Sequence, residues 1–237
     1  AAPGETSIIE PAPSRDHSER MLRHFGADVR VEEEASGGRR ITLAGQPELR
    51  AADLSVPADI SSAAFPLGAA LIVPGSNVLL KNVGINPLRS GLLDCAAEMG
   101  GIDELLEARE LSGEPAADIA VSASELRAID VPAARVPSMI DEYPILAILA
   151  AYAHGESRLR GLGELRHKES DRFAAIVEGL TACGVRVAAD GDDILIDGAG
   201  GPPPGGAQIE SRLDHRIAMA FLVLGMASQG SITIDDG

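Results

Sequence analysis

Cysteine is scarce in this chain: two residues in 237, Cys95 and Cys183, each inside a stretch that reads as a helix and neither in metal-ligand spacing. No disulfide framework is expected, and a reducing compartment, the cytoplasm, fits that usage. Long apolar runs are also missing. Proline, glycine, histidine or a charge interrupts each one before the roughly 20 residues a bilayer requires, and no stretch reads as a signal peptide. Basic residues are outnumbered, 20 against 36 acidic ones, for a formal net charge of −16. That balance argues against nonspecific nucleic-acid binding, which needs Lys and Arg to neutralise phosphates. It leaves anionic small molecules open. Screening confines exposed charge to about 10 Å, so a few convergent cations make a local positive site inside an acidic protein.

What is present is a repeat. Three apolar stretches each open on Asp and close on Gly: "DISSAAFPLGAALIVPG" from Asp59, "DEYPILAILAAYAHG" from Asp141 and "DHRIAMAFLVLGMASQG" from Asp214. An Asp N-cap and a Gly terminus predict helices, and their nearly all-round apolar character predicts burial. A short strand follows each, in "NVLLKNV", "SRLRGL" and "SITI", and "TSIIEP" is the equivalent piece near the start. A second helix comes next, in "RDHSERMLRHFGAD", "RSGLLDCAAEMGGID" and "SDRFAAIVEGLTACGVR", stopped by Gly26, Gly100 and Gly184. Two further strands joined by turn residues complete a βαβαββ unit with a period of about 75 to 85 residues. In this register the first unit lacks its opening and the last its second half, so a fragment of a longer protein is expected.

The repeat places charge in an unusual position. Arg15, Arg89 and Arg172 lie at the starts of the second helices, 11, 11 and 12 residues before the terminating glycine. A cation there opposes the helix macrodipole, at a cost of about 0.3 to 1 kcal/mol. Two explanations stand side by side. Asp16, Glu19, Glu169 and Asp171 are close enough in sequence to pair with their neighbours; alternatively, guanidinium groups beside helix N-termini hold a phosphate or carboxylate. Arg89 has no such acidic cluster, and a structural role is expected for it. Asp141 shares the repeat position of Asp59 and Asp214, so N-capping is its expected role on position alone. His215 and Arg216 follow Asp214 at the start of an apolar helix, where a cation must reach solvent, an interface or a ligand. Ligand contact is expected for Arg216, while His215 suits a ligand or a structural hydrogen bond equally.

Six segments carry a resemblance. "SRDHSERML" (14 to 22), "VPADISSAAFPL" (56 to 67), "NPLRSGLL" (86 to 93), "SMIDEYPILA" (138 to 147), "LRHKESDR" (165 to 172) and "LDHRIAMAF" (213 to 221) resemble, in order, motifs of the bacterial 5-enolpyruvylshikimate-3-phosphate synthases. The resemblance covers essentially the whole chain. It implies an α/β protein of the enolpyruvyl transferase fold, an inside-out α/β barrel whose six βαβαββ units form two domains of three. Residues 1–55 would then end one domain, and residues 56–237 would supply two full units and a truncated third of the other. The family's catalytic Lys and phosphate-binding Ser residues from the first half, and a C-terminal Lys, would lie outside this chain, so the fragment alone is expected to be inactive.

The family transfers the enolpyruvyl group of phosphoenolpyruvate to the 5-hydroxyl of shikimate 3-phosphate in aromatic amino-acid biosynthesis. Carried over by motif, Ser14 and Arg15 resemble contacts to the shikimate phosphate, and Lys168 a further binder of that substrate. Asp141 resembles the proton acceptor facing the attacking hydroxyl. Arg172 and Arg216 resemble the clamp on phosphoenolpyruvate, with Glu169 as the proton shuttle and His215 close by. Neither a metal nor an organic cofactor is implied, and neither a nucleic-acid nor a membrane partner; a cytoplasmic monomer is expected. Three positions depart from the commonest pattern: Ala58 stands for a Gly at the domain crossover, His167 for a Val, and Glu164 for an Asn, so no contact is carried onto Glu164. Two rival readings are an enolpyruvyl transferase with a UDP-sugar acceptor and a noncatalytic repeat protein whose basic loops dock a partner.

Overall fold

The computed structural model describes residues 2–35, 37–101 and 104–235. Ser36, in the first predicted hairpin, and Ile102 and Asp103, behind the second helix stopped by Gly100, lie outside the described residues. Four successive segments fold to one plan. The first gives β1 (Glu5–Glu10), α1 (His17–His24), β2 (Val29–Glu33) and β3 (Arg39–Ala44). The second gives α2 (Ile60–Ile72), β4 (Asn77–Gly84), α3 (Gly91–Glu98), β5 (Glu104–Leu111) and β6 (Glu114–Ser122). The third gives β7 (Asp130–Val131), α4 (Tyr143–Tyr152), β8 (His154–Leu159), α5 (Arg172–Ala182), β9 (Arg186–Asp190) and β10 (Asp193–Ala199). The fourth gives β11 (Gln208–Ile209), α6 (His215–Ala227) and β12 (Thr233–Ile234).

The sheets repeat as the sequence period requires. Their orders are β1-β3-β2, β4-β6-β5, β7-β8-β10-β9 and β11-β12. In each of the first three, the last strand of the unit lies between two antiparallel neighbours. β7 runs parallel to β8 and β11 parallel to β12, and a single Ala58–Val83 bridge has the same sense in the second unit. Parallel neighbours need a crossover, and α2, α4 and α6 supply it. These helices turn inward because they have no polar face to leave in water: all ten residues of α4 are buried, and α4 packs against both α2 and α6. The sheets stay outside, with alternating exposure along β4.

The expected helix ends need adjustment. α4 stops at Tyr152 and Ala153 is already extended (φ −65°, ψ 157°), so β8 begins before Gly155 rather than after it. The second helices stop where expected. Gly184 has φ +76°, a left-handed conformation that costs an L side chain about 1 to 2 kcal/mol, and Gly26 and Gly100 repeat the sign.

Gly179 serves differently. It lies inside α5, where a β-carbon would overlap the buried Phe221 ring of α6. Helix propensity favours Gly179→Ala by about 1 kcal/mol, while forcing a methyl group into a filled contact costs about 1 to 3 kcal/mol. Urea denaturation is expected to show net destabilisation of Gly179→Ala; a stabilised variant would mean that α5 and α6 are not in close contact.

Candidate active site

The N-termini of the three inward helices meet at one end of the core, and their acidic residues behave differently. Asp59 is extended (φ −69°, ψ 124°) and its carboxylate accepts from the backbone N–H groups of Ser61 and Ser62 at 3.2 and 3.0 Å. Asp214 accepts from the Arg216 N–H at 3.0 Å and so caps α6. Both meet the capping expectation. Asp141 does not. It sits in a 3-10 turn over Ile140–Glu142, and α4 begins only at Tyr143. Two features set it apart: the turn delays the start of α4 to Tyr143, and Pro144, three residues on, lacks the N–H that Ser62 offers Asp59. The Asp141 carboxylate is left to other donors.

Those donors are guanidinium groups from three units. Arg15 Nη2 lies 3.0 Å and Arg172 Nη1 3.3 Å from the Asp141 carboxylate oxygens, with Arg216 Nη2 at 3.9 Å. The Asp141 carbonyl also accepts from Arg216 Nη1 at 3.5 Å. Burial opposes ionisation of Asp141, but the hydrogen bond from Arg15 and the charges of Arg216, Arg15 and Arg89 outweigh it and hold the carboxyl below the ordinary aspartate range.

Arg172, the first residue of α5, is fully buried. Its Nε bonds Asp214 at 2.8 Å, its Nη2 meets Glu169 at 2.5 Å, and Nη1 points to Asp141. A buried cation demands such partners. Burial also disfavours the ionised form of Asp214; the hydrogen bond and charge of Arg172, the Arg216 N–H and the Ser170 hydroxyl overcome this and depress its pKa. Arg89, one unit earlier, repeats the device: it is 8% exposed, bonds Glu142 at 2.8 Å and also grips the Ser61 hydroxyl.

The other motif residues divide. His215 is exposed at the start of α6 and lines a cavity of about 240 Å³ with Arg216, Asp59, Ser61 and Ser62. Lys168 pairs with Glu164 at 2.7 Å rather than with the cluster around Asp141. Ser14 donates its hydroxyl to Glu10 at 2.5 Å, beside Arg15. Of the acids near the second-helix arginines, only Glu169 pairs with the arginine of its own helix start. Asp16 pairs with Arg20 and Asn86 instead of Arg15, and Asp171 caps α5 through the Ala174 N–H at 2.9 Å. Arg166 stacks 3.7 Å over the Phe173 ring.

Sequence reasoning missed Glu142, Ser61 and the role of Asp214 as an ion partner. The repeat held one usable signal: a second-helix arginine needs an acid, and for Arg89 and Arg172 the start of the following unit's first helix supplies it, whereas Arg15 reaches Asp141 two units on. Among the described residues, no group of three His, Cys, Asp or Glu side chains is placed to hold a metal ion.

The repeat and its inward helices define the enolpyruvyl transferase fold. The solved enolpyruvyl transferase NikO from Streptomyces tendae shares it, with a TM-score of 0.70 at 20% identity over 99% of this chain and 51% of that one. An EPSP synthase from Acinetobacter baumannii aligns with a TM-score of 0.91 at 44% identity, over 99% of this chain and 53% of its own. The chain belongs to the EPSP synthase (3-phosphoshikimate 1-carboxyvinyltransferase) family, whose match runs over residues 1–237. It is 59% identical to the 3-phosphoshikimate 1-carboxyvinyltransferase of Methylorubrum populi, over 100% of this chain and 52% of that protein. The corresponding protein of Rhodospirillum rubrum is 59% identical over 99% of this chain and 52% of its own length. The chain thus spans about half the length of the curated relatives it matches.

The ion cluster has a defined acid response. Asp141 and Asp214 are both held below their ordinary value of 3.8, so their stabilisation is complete above that pH and is lost as pH falls through the lower folded values. Asp214→Asn keeps a capping side chain but removes the charge beside buried Arg172, and at pH 7 it is expected to cost about 3 kcal/mol in urea denaturation. The difference from the parent should shrink as the pH drops below about 4. A difference that stays constant into acid would contradict the pairing.

Proposed function

We propose that the polypeptide carrying this chain transfers the enolpyruvyl group of phosphoenolpyruvate to the 5-hydroxyl of shikimate 3-phosphate, releasing phosphate, in the shikimate pathway. The observation that carries the reading is Asp141: a carboxylate lying in a 3-10 turn ahead of α4 and ringed by Arg15, Arg172 and Arg216. Anionic substrates suit that ring, because guanidinium forks exchange a carboxylate partner for a phosphate without changing protonation state. As substrate oxygens draw Arg15 and Arg216 away, Asp141 loses the charges that hold its pKa down and becomes a stronger base.

Each motif residue then has a role. Ser14, Arg15 and Lys168 hold shikimate 3-phosphate, and Arg172 and Arg216 clamp phosphoenolpyruvate with His215 beside them. The 5-hydroxyl oxygen bonds to C2 of phosphoenolpyruvate as its proton passes to Asp141, while C3 takes a proton from Glu169. Breaking of the C2–O bond to phosphate, with a proton returned from C3 to Glu169 and the Asp141 proton lost to the departing phosphate, restores the double bond and both carboxyl groups. The Glu169–Arg172 contact at 2.5 Å has to open for this step, which ligand binding at Arg172 favours. Residues 1–55 belong with one domain and residues 56–237 with the other. A cytoplasmic monomer fits the two unpaired cysteines, and among the described residues no helix is long and apolar enough to cross a membrane.

Phosphate release by the encoded polypeptide with both substrates tests the reading. Turnover is expected, and no release above background would overturn it. Asp141→Asn is expected to bind both substrates yet lose about 100- to 10,000-fold in turnover; unchanged turnover would remove Asp141 from the chemistry.

A further inference from the structure

The cations of the cluster are not equivalent. Arg15, Arg89 and Arg172 have carboxylate oxygens at 3.0, 2.8 and 2.8 Å. Arg216 has none so close among the described residues: its ion-pair distances to Asp141 and Glu142 are both 3.9 Å. Both Glu142 oxygens are instead held close by other partners. Oε1 accepts the Ser61 hydroxyl at 2.5 Å, and Oε2 accepts from Arg89 Nη1 at 2.8 Å. Arg89 also hydrogen-bonds Ser61, which closes a triangle between the starts of α2 and α4 and the segment leading into α3. Glu142 is 1% and Ser61 3% exposed, so water offers no competing arrangement.

We infer that Glu142 is a positioning residue for the enolpyruvyl donor: held by Ser61 and Arg89, it fixes the peptide that orients Arg216 and leaves that guanidinium free for an anionic ligand. The inference rests on the function proposed above and extends it to a residue that does not touch substrate. The coupling runs through the backbone. The Asp141 carbonyl, in the peptide joining Asp141 to Glu142, accepts from Arg216 Nη1. Charge adds to it. With Glu142 neutral, Arg89 is a buried cation whose other ion-pair contact among the described residues is Asp59 at 4.0 Å, and it competes with Arg216 and Arg172 for Asp141.

The test uses two variants of the encoded polypeptide. Glu142→Gln breaks the buried pair. Glu142→Met combined with Arg89→Met replaces both ions by apolar chains, an exchange that buried ion pairs generally survive as a fold. In whichever variant retains a cooperative thermal transition, KM for phosphoenolpyruvate is expected to rise by about tenfold or more, with KM for shikimate 3-phosphate unchanged within about twofold. Parental KM values in a folded variant, or an equal rise in both, would make the triangle purely structural and overturn the inference. Calorimetric titration with phosphoenolpyruvate separates the two proposals. A parent without turnover whose phosphoenolpyruvate affinity still falls about tenfold in the variant loses the functional reading and keeps the positioning role. Equal affinity in parent and variant overturns the role.

Discussion

A fully buried guanidinium, that of Arg172, is the constraint on which the rest of this structure depends. Left alone in the core it would be prohibitively costly, so the fold has to deliver carboxylates to it. They come from Asp214 at the start of α6, from Asp141 before α4 and from Glu169 just ahead of α5. The three cannot be assembled unless the helices enter the core at one end and in fixed register. The packing of α2, α4 and α6 supplies the stability, and the ion cluster fixes where those helices begin.

Repetition explains both the cluster and its one useful irregularity. In two successive units an arginine at the start of the second helix reaches an acid at the start of the following unit's first helix: Arg89 to Glu142 and Arg172 to Asp214. Asp59 and Asp214 also cap their helices. Asp141 departs, lying in a 3-10 turn ahead of α4, and the departure leaves a carboxylate surrounded by arginines. The proposed chemistry is therefore placed where the repeat is broken.

Much of the fold was legible in the sequence because its signals are local. Asp before an apolar run, Gly after a helix and a period shared by three segments all act over a few residues, and the sheets followed from the period. Helix and strand ends moved by a few residues where alanine-rich backbone leaves the choice to tertiary packing, as at Ala153. The site was legible only in part. Motif resemblance brought Asp141, Arg172 and Arg216 together, and the two guanidinium groups lie 3.3 and 3.9 Å from the Asp141 carboxylate. Glu142 and Ser61 carried no such mark: a Glu or Ser at a helix start is ordinary, and only the three-dimensional closure on Arg89 distinguishes them. Lys168 belongs to a matching motif, yet its ammonium group pairs with Glu164, a preference set by a side chain four residues away.

The central claim is that the guanidinium ring, and not a helix cap, governs the Asp141 carboxyl. Carbon-13 NMR of its carboxyl through a pH titration, without and with shikimate 3-phosphate, tests this most directly. The account predicts an apparent pKa below the ordinary aspartate value of 3.8 in the free protein and a rise when the substrate phosphate takes up the arginines. A pKa at or above the ordinary value, or one indifferent to the ligand, would contradict it.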